Sequence, residues 1–208
     1  YLLTGSATPV EGKTKHSGTG RIARLLMRPM SLYESKNSTG TVSLKQLFDG
    51  VRQIDGKSTL ELEDVAFLIA KGGWPSVALE NGEDSLMVAR EYLEAIIHED
   101  IQTLDGVERN PMRVRSVLRS LARNISTTAS FSVIKQDTEM NNETISEKTI
   151  ADYVNALQKM YLVEDVVAWS PKLRSKTEIR VTPKREFVDP SLSVAALRAS
   201  DKDVLKDF

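Results

Sequence analysis

Residues 146–169 read Ser146-Glu147-Lys148-Thr149-Ile150-Ala151-Asp152-Tyr153-Val154-Asn155-Ala156-Leu157-Gln158-Lys159-Met160-Tyr161-Leu162-Val163-Glu164-Asp165-Val166-Val167-Ala168-Trp169, and a change of period within them decides the fold. Ile150, Tyr153, Val154 and Leu157 recur at the three- and four-residue spacing of one helix face, which predicts a helix over 146–160. From Tyr161 to Trp169 the pattern becomes that of a strand. Ile179 to Val188 supplies a second, and the polar, basic stretch from Pro171 to Thr177 lies between them. Upstream, helices are predicted from Pro111 to about Asn124 and from Ser130 to Gln136. Three helices followed by a two-stranded ribbon is the order of a winged helix, the helix-turn-helix variant with an appended hairpin. That unit is expected at residues 111–190.

Working outward, Leu60–Lys71 reads as an amphipathic helix closed by Gly72-Gly73. Asp84 is expected to cap a long helix from Ser85 to Thr103, with Met87, Tyr92, Leu93, Ile96 and Ile97 on its apolar side. Ser43 is expected to cap a short helix ending near Phe48. The apolar run Arg21–Arg28 is brief and stopped by Pro29, which favours a buried strand over a helix. Residues 1–7 read as a short apolar strand that enters a loop rich in glycine, serine, threonine and lysine. A segment at 191–208 begins whatever follows the ribbon.

At 208 residues the chain is long enough for one large domain or two small units, and two are expected. Hydrophobic residues at 40% and charged residues at 27% are those of an ordinary folding sequence. A formal net charge of -1 means that contact with nucleic acid or anionic lipid must come from a local patch. Cysteine is absent, which removes disulfides, thiolate nucleophiles and cysteine-held zinc, and the cytoplasm is the expected compartment. No run is long and apolar enough for a helical membrane span.

Two phosphate-binding patterns are decoys. Ala7-Thr8-Pro9-Val10-Glu11-Gly12-Lys13-Thr14 fits a permissive P-loop, but Lys15-His16-Ser17-Gly18-Thr19-Gly20 cannot start the helix whose N-terminus the phosphates need, and Glu11 sets a like charge beside them. Gly18-Thr19-Gly20-Arg21-Ile22-Ala23 follows a polar loop where a dinucleotide fingerprint requires a strand. His16 and His98 lack the spacing of a metal site, and none is expected.

Leu2-Leu3-Thr4-Gly5-Ser6-Ala7, His16–Ala23 and Met27-Arg28-Pro29-Met30-Ser31-Leu32-Tyr33-Glu34 together resemble the second half of the ATPase core in a family of bacterial and archaeal AAA+-like proteins. Gly72-Gly73-Trp74-Pro75 is similar to that family's Gly-Gly-aromatic-Pro signature. Tyr92–Asp100 resembles its helical linker. Ser146–Ile150, Tyr161-Leu162-Val163 and Pro183–Pro190 resemble the winged-helix region of its adjoining domain of unknown function. The resemblance implies a mainly α fold with small β: a remnant of a P-loop ATPase sheet (sensor strand and last strand) over 1–42, a helical lid over 43–110, the winged helix, and then a nuclease-like region. It implies that the P-loop and the acidic magnesium-binding strand lie ahead of Tyr1, so that ATP and magnesium belong to the full-length protein and no cofactor to this segment. It makes Ser6, or Thr4, the polar group facing a γ-phosphate or its attacking water, and Arg21 the arginine for transition-state charge, acting in cis or from a neighbouring subunit.

The remaining signal is positive charge. Arg115, Arg119 and Arg123 share one helix face, and no acid occurs from Met112 to Gln136. Lys148, Thr149, Asn155, Gln158 and Lys159 form the polar side of the third helix, the expected reader of bases, with Glu147 and Asp152 nearby to repel a phosphate backbone. Lys172, Arg174, Lys176, Arg180, Lys184 and Arg185 of the ribbon outnumber Glu178. The expected function is therefore a winged-helix segment, not catalytic by itself, that couples the nucleotide state of an AAA+-type ATPase to double-stranded DNA or a protein partner, with a homo-oligomer as a further expectation. The alternative is a free-standing winged-helix DNA-binding transcriptional regulator.

Overall fold

Helix α1 (Leu44–Phe48) follows Ser43, whose backbone is extended but whose side chain makes no cap bond, and none of its residues is buried. The protein is described by a computed structural model at residues 4–5, 20–21, 23, 25–139, 144–170, 176 and 181–207. Helix α2 (Leu62–Lys71) opens on a reciprocal capping box between Glu61 and Asp64 and stops at Gly72, whose φ of 76° suits a residue without a side chain. Lys71, only 1% exposed, turns its ammonium onto the carbonyls of Ala78 (3.3 Å) and Glu80 (2.9 Å) and closes the turn that follows.

The long helix predicted from 85 to 103 is interrupted. A 3-10 turn at Glu83–Leu86, α3 (Met87–Ala95), a π turn at Ile96–Asp100 and α4 (Ile101–Thr103) run end to end. Ile96 and Ile101 are five residues apart and both buried, a spacing that a widened turn aligns and a regular α-helix does not. Asp84 does not cap this rod; the residue at its start is Gly82. Met87 is exposed, and Tyr92 leaves the core to lie against Trp74, with ring centroids 4.8 Å apart.

Helix α5 (Pro111–Arg123) is capped by Asn110, whose side chain accepts from the Met112 and Arg113 amides, and α6 (Phe131–Glu139) packs on it. Helix α7 (Glu147–Lys159) is capped by Ser146 and buries Ile150, Tyr153, Val154 and Leu157, the face predicted from their spacing. Strands β1 (Val163–Val166) and β2 (Lys184–Phe187) pair antiparallel, with Val163 opposite Phe187 and Val166 opposite Lys184. Helix α8 (Pro190–Leu197) then folds back among α2, α3 and α5, and α9 (Asp201–Lys206) lies along α2. One hydrophobic cluster includes Leu93, Ile97, Val117, Leu118, Ile150, Leu157, Phe187 and Leu192.

The molecule is thus mainly helical with one small antiparallel sheet, and β1 and β2 are the only strands among the described residues. The buried strand expected over Arg21–Arg28 is not formed: described residues 21, 23 and 25–28 carry no strand, and Leu25 is 96% and Met27 86% exposed. The apolar run is there but nothing among the described residues covers it. Of the expected sensor strand only Thr4 and Gly5 are described, outside any regular element. Among the described residues no helix is long and apolar enough to cross a membrane.

Candidate nucleic-acid interface

On α7, Lys148, Asp152, Asn155 and Lys159 follow at intervals of four, three and four, which sets them in one row on the face opposite the buried stripe, and all four are exposed. Thr149 is on the flank, its amide and hydroxyl both engaged by Ser146 in the cap (3.0 and 2.8 Å). The row is not uniformly positive. The loop after α4 runs beside it: Arg109 senses the charge of Asp152, and Lys159 adds its charge to the field at Asp105. Asp105 and Arg109 themselves form a two-pronged pair (2.8 and 2.7 Å), and the guanidinium also donates to the Ile101 and Val107 carbonyls. Held by Arg109 first of all, the Asp105 carboxyl is lowered to a pKa of about 2.

The arginine face expected on α5 is broken up by acids from other elements. Glu94 of α3 takes Arg115 in a bidentate pair (2.5 and 2.7 Å), and His98, one turn along from Glu94, approaches the same carboxylate to 3.5 Å. The Arg115 guanidinium, foremost, keeps Glu94 below the ordinary carboxylate range. Asp137, one residue beyond the acid-free window, takes Arg123 (2.8 Å) and also accepts from Ser120 and Asn124. Arg119 remains exposed and makes no ion pair among the described residues. On the ribbon, Arg185 is turned inward. It is buried, lies over the Phe131 ring at 4.4 Å, donates to the Ala129 carbonyl and approaches Asp165 to 3.5 Å. Lys176 and Lys184 are exposed. Arg174 falls outside the described residues, as do Ser6 and the Ala7–Thr14 decoy; Arg21 is exposed in a turn.

A constellation not foreseen joins the corner after α2 to the start of α8. Asp189, 2% exposed, caps α8 through the Ser191 amide (2.9 Å) and hydroxyl (2.5 Å) and also accepts from the Gly73 amide (2.8 Å), 116 residues away in sequence. Ser191 in turn accepts from the Trp74 indole (2.9 Å). A side chain at Gly72 would collide with Asp189, its Cβ falling 2.2 Å from Oδ1, so the backbone bends here because nothing projects. The Gly73 carbonyl accepts from the Met30 amide (2.8 Å), and two residues earlier Arg28 grips Glu164 of β1 with both guanidinium nitrogens (2.6 Å each). An arm at 28–30 is therefore tied both to the corner after α2 and to the ribbon. The sequence signals were Gly72-Gly73-Trp74-Pro75 and Val188-Asp189-Pro190, each visible alone; their meeting was not.

Among the described residues no group of three or more histidine and acidic side chains gathers as a metal site. The profile of a protein family described as a domain of unknown function (DUF8612) matches residues 62–203, a span that includes the Gly72-Gly73 corner, α7, the ribbon and α8. No curated protein and no solved structure matches the chain.

Proposed function

We propose, for a chain that belongs to the DUF8612 family of domains of unknown function, that residues 111–189 are a winged helix with α7 as its reading helix, and that the arm at 28–30 couples it to the nucleotide state of an AAA+-like ATPase core. The partner at α7 is double-stranded DNA. Supporting the winged helix are the helix order and the antiparallel ribbon that closes on Phe187. The observation that carries the coupling is the double attachment of the arm, by Met30 to Gly73 and by Arg28 to Glu164. Movement of residues preceding Arg28 reaches both the corner that Asp189 locks and the strand that leads into the wing. The full-length protein supplies the ATP and magnesium site; Ser6 and Arg21 are its contributions from this chain.

The DNA grip in this reading is sparse. With Arg115 and Arg123 held by carboxylates and Arg185 buried, Arg119, Lys148, Lys176 and Lys184 are left for phosphates among the described residues, while Asn155 is suited to a base edge. Coupling is tested in the full-length protein by measuring ATP hydrolysis with and without duplex DNA. DNA stimulates hydrolysis in the wild type, Arg28→Glu removes the stimulation while leaving basal turnover, and adding Glu164→Arg restores it. Stimulation that survives Arg28→Glu unchanged would contradict coupling through the arm.

A further inference from the structure

Gly72 and Gly73 go without side chains for different partners. Gly72 makes room for Asp189, whereas a Cβ on Gly73 would fall 2.2 Å from the carbonyl oxygen and 2.8 Å from the nitrogen of Met30, backbone atoms that cannot turn aside. The φ of Gly73 is not positive, so the bare position serves the approach of the arm and not a turn. The second hold on the arm is electrostatic. Glu164 is directly opposite Glu186 in the ribbon, two like charges on one face, and Ser126 donates a hydroxyl to Glu186 (3.0 Å). Arg28 brings the counter-charge to that pair, through a contact that is itself exposed to solvent. Little else holds the arm among the described residues. Leu25 and Met27 stand in water, Pro29 and Met30 are half-buried, and beyond them the turn at 31–37 is closed by its own hydrogen bonds. One exposed ion pair and one backbone hydrogen bond favour the seated arm by only about tenfold, far less than the core favours a buried helix.

We propose that residues 25–30 are a strap that leaves and reseats while the rest of the protein stays folded, with Gly73 as its seat and the Glu164–Glu186 pair as its latch. Relay of the nucleotide state through the strap rests on the coupling proposed above; the opening itself does not, and it is measured without nucleotide or duplex. The test is hydrogen exchange of the full-length protein, followed at the Met30 amide and, as the reference for global unfolding, at the Leu118 amide of α5, together with urea midpoints. In the wild type the Met30 amide is protected about tenfold, and the Leu118 amide by orders of magnitude more. Gly73→Ala removes the protection of Met30 and leaves the urea midpoint in place, whereas Gly72→Ala, which collides with Asp189 at a positive φ, lowers the midpoint. Salt at 1 M reduces the wild-type protection severalfold, and Arg28→Gln does the same at low salt and is then insensitive to more. A Met30 amide that exchanges only as slowly as Leu118 overturns the strap, because residues 25–30 then open with the core. So does Gly73→Ala with wild-type protection at Met30, or with a midpoint lowered as far as by Gly72→Ala. A strap that opens as described, in a protein whose ATP hydrolysis ignores duplex DNA, leaves the strap standing and removes the coupling.

Discussion

Asp189 shows how much one carboxylate can organise. It is buried, and its partners are two amides and one hydroxyl from segments far apart in sequence, so its removal strands donors that water cannot reach. Asp189→Ala should cost about 3 kcal/mol of stability, read as a lower urea midpoint, whereas Asp189→Asn, which keeps one acceptor oxygen, should cost less. Equal losses for the two would mean that shape rather than hydrogen bonding holds the corner. A second prediction concerns pH. The Asp105 carboxyl is lowered to about 2 in the fold, below its ordinary value of 3.8, so its pairing with Arg109 stabilises the protein above about pH 4. Protonation then removes that contribution progressively as the pH falls toward 2. Asp105→Asn should flatten the acid limb of the stability curve over that window, and an unaltered limb would contradict the pairing. Single residues were legible where chemistry is local, as with Gly72 closing α2, and illegible where a partner came from elsewhere. Glu94 and Asp137 neutralise Arg115 and Arg123 from outside the stretch that looked purely basic.

At the scale of elements, α7 was readable because its apolar spacing, cap and flanking strand agree with one another. The rod from α3 to α4 was readable as helix but not in its detail, since a π turn depends on the isoleucines finding one core rather than on propensity. The run Arg21–Arg28 shows the limit of hydrophobicity as a signal: it tells that a segment wants cover, not that cover is nearby. Leu157 is fully buried in the last turn of α7, so Leu157→Ala should destabilise by about 2 to 5 kcal/mol in thermal or urea unfolding. Lys148→Glu on the opposite face should leave the unfolding midpoint unmoved. If Lys148→Glu unfolds the protein as readily as Leu157→Ala does, the assignment of the two faces is wrong.

For the whole molecule the meeting of distant segments matters most. The chain closes on itself where α8 returns to α2, α3 and α5, and there the arm, the Gly72-Gly73 corner and the ribbon are joined by a handful of polar contacts. Fold class followed from the order of periods in the sequence, but the corner could not be read from it because Gly73 and Asp189 are brought together only by packing. The central claim is that the face of α7 bearing Lys148 and Asn155, with the exposed lysines of the ribbon, meets double-stranded DNA. The most direct test is the dissociation constant of a short duplex measured across a salt series for wild type and Lys148→Glu. With Arg119 and three lysines available among the described residues, the slope of log affinity against log salt should be about -3.6, reduced in magnitude by roughly one in Lys148→Glu with weaker binding at every salt. No duplex binding at low salt, or a Lys148→Glu protein indistinguishable from wild type, would contradict it.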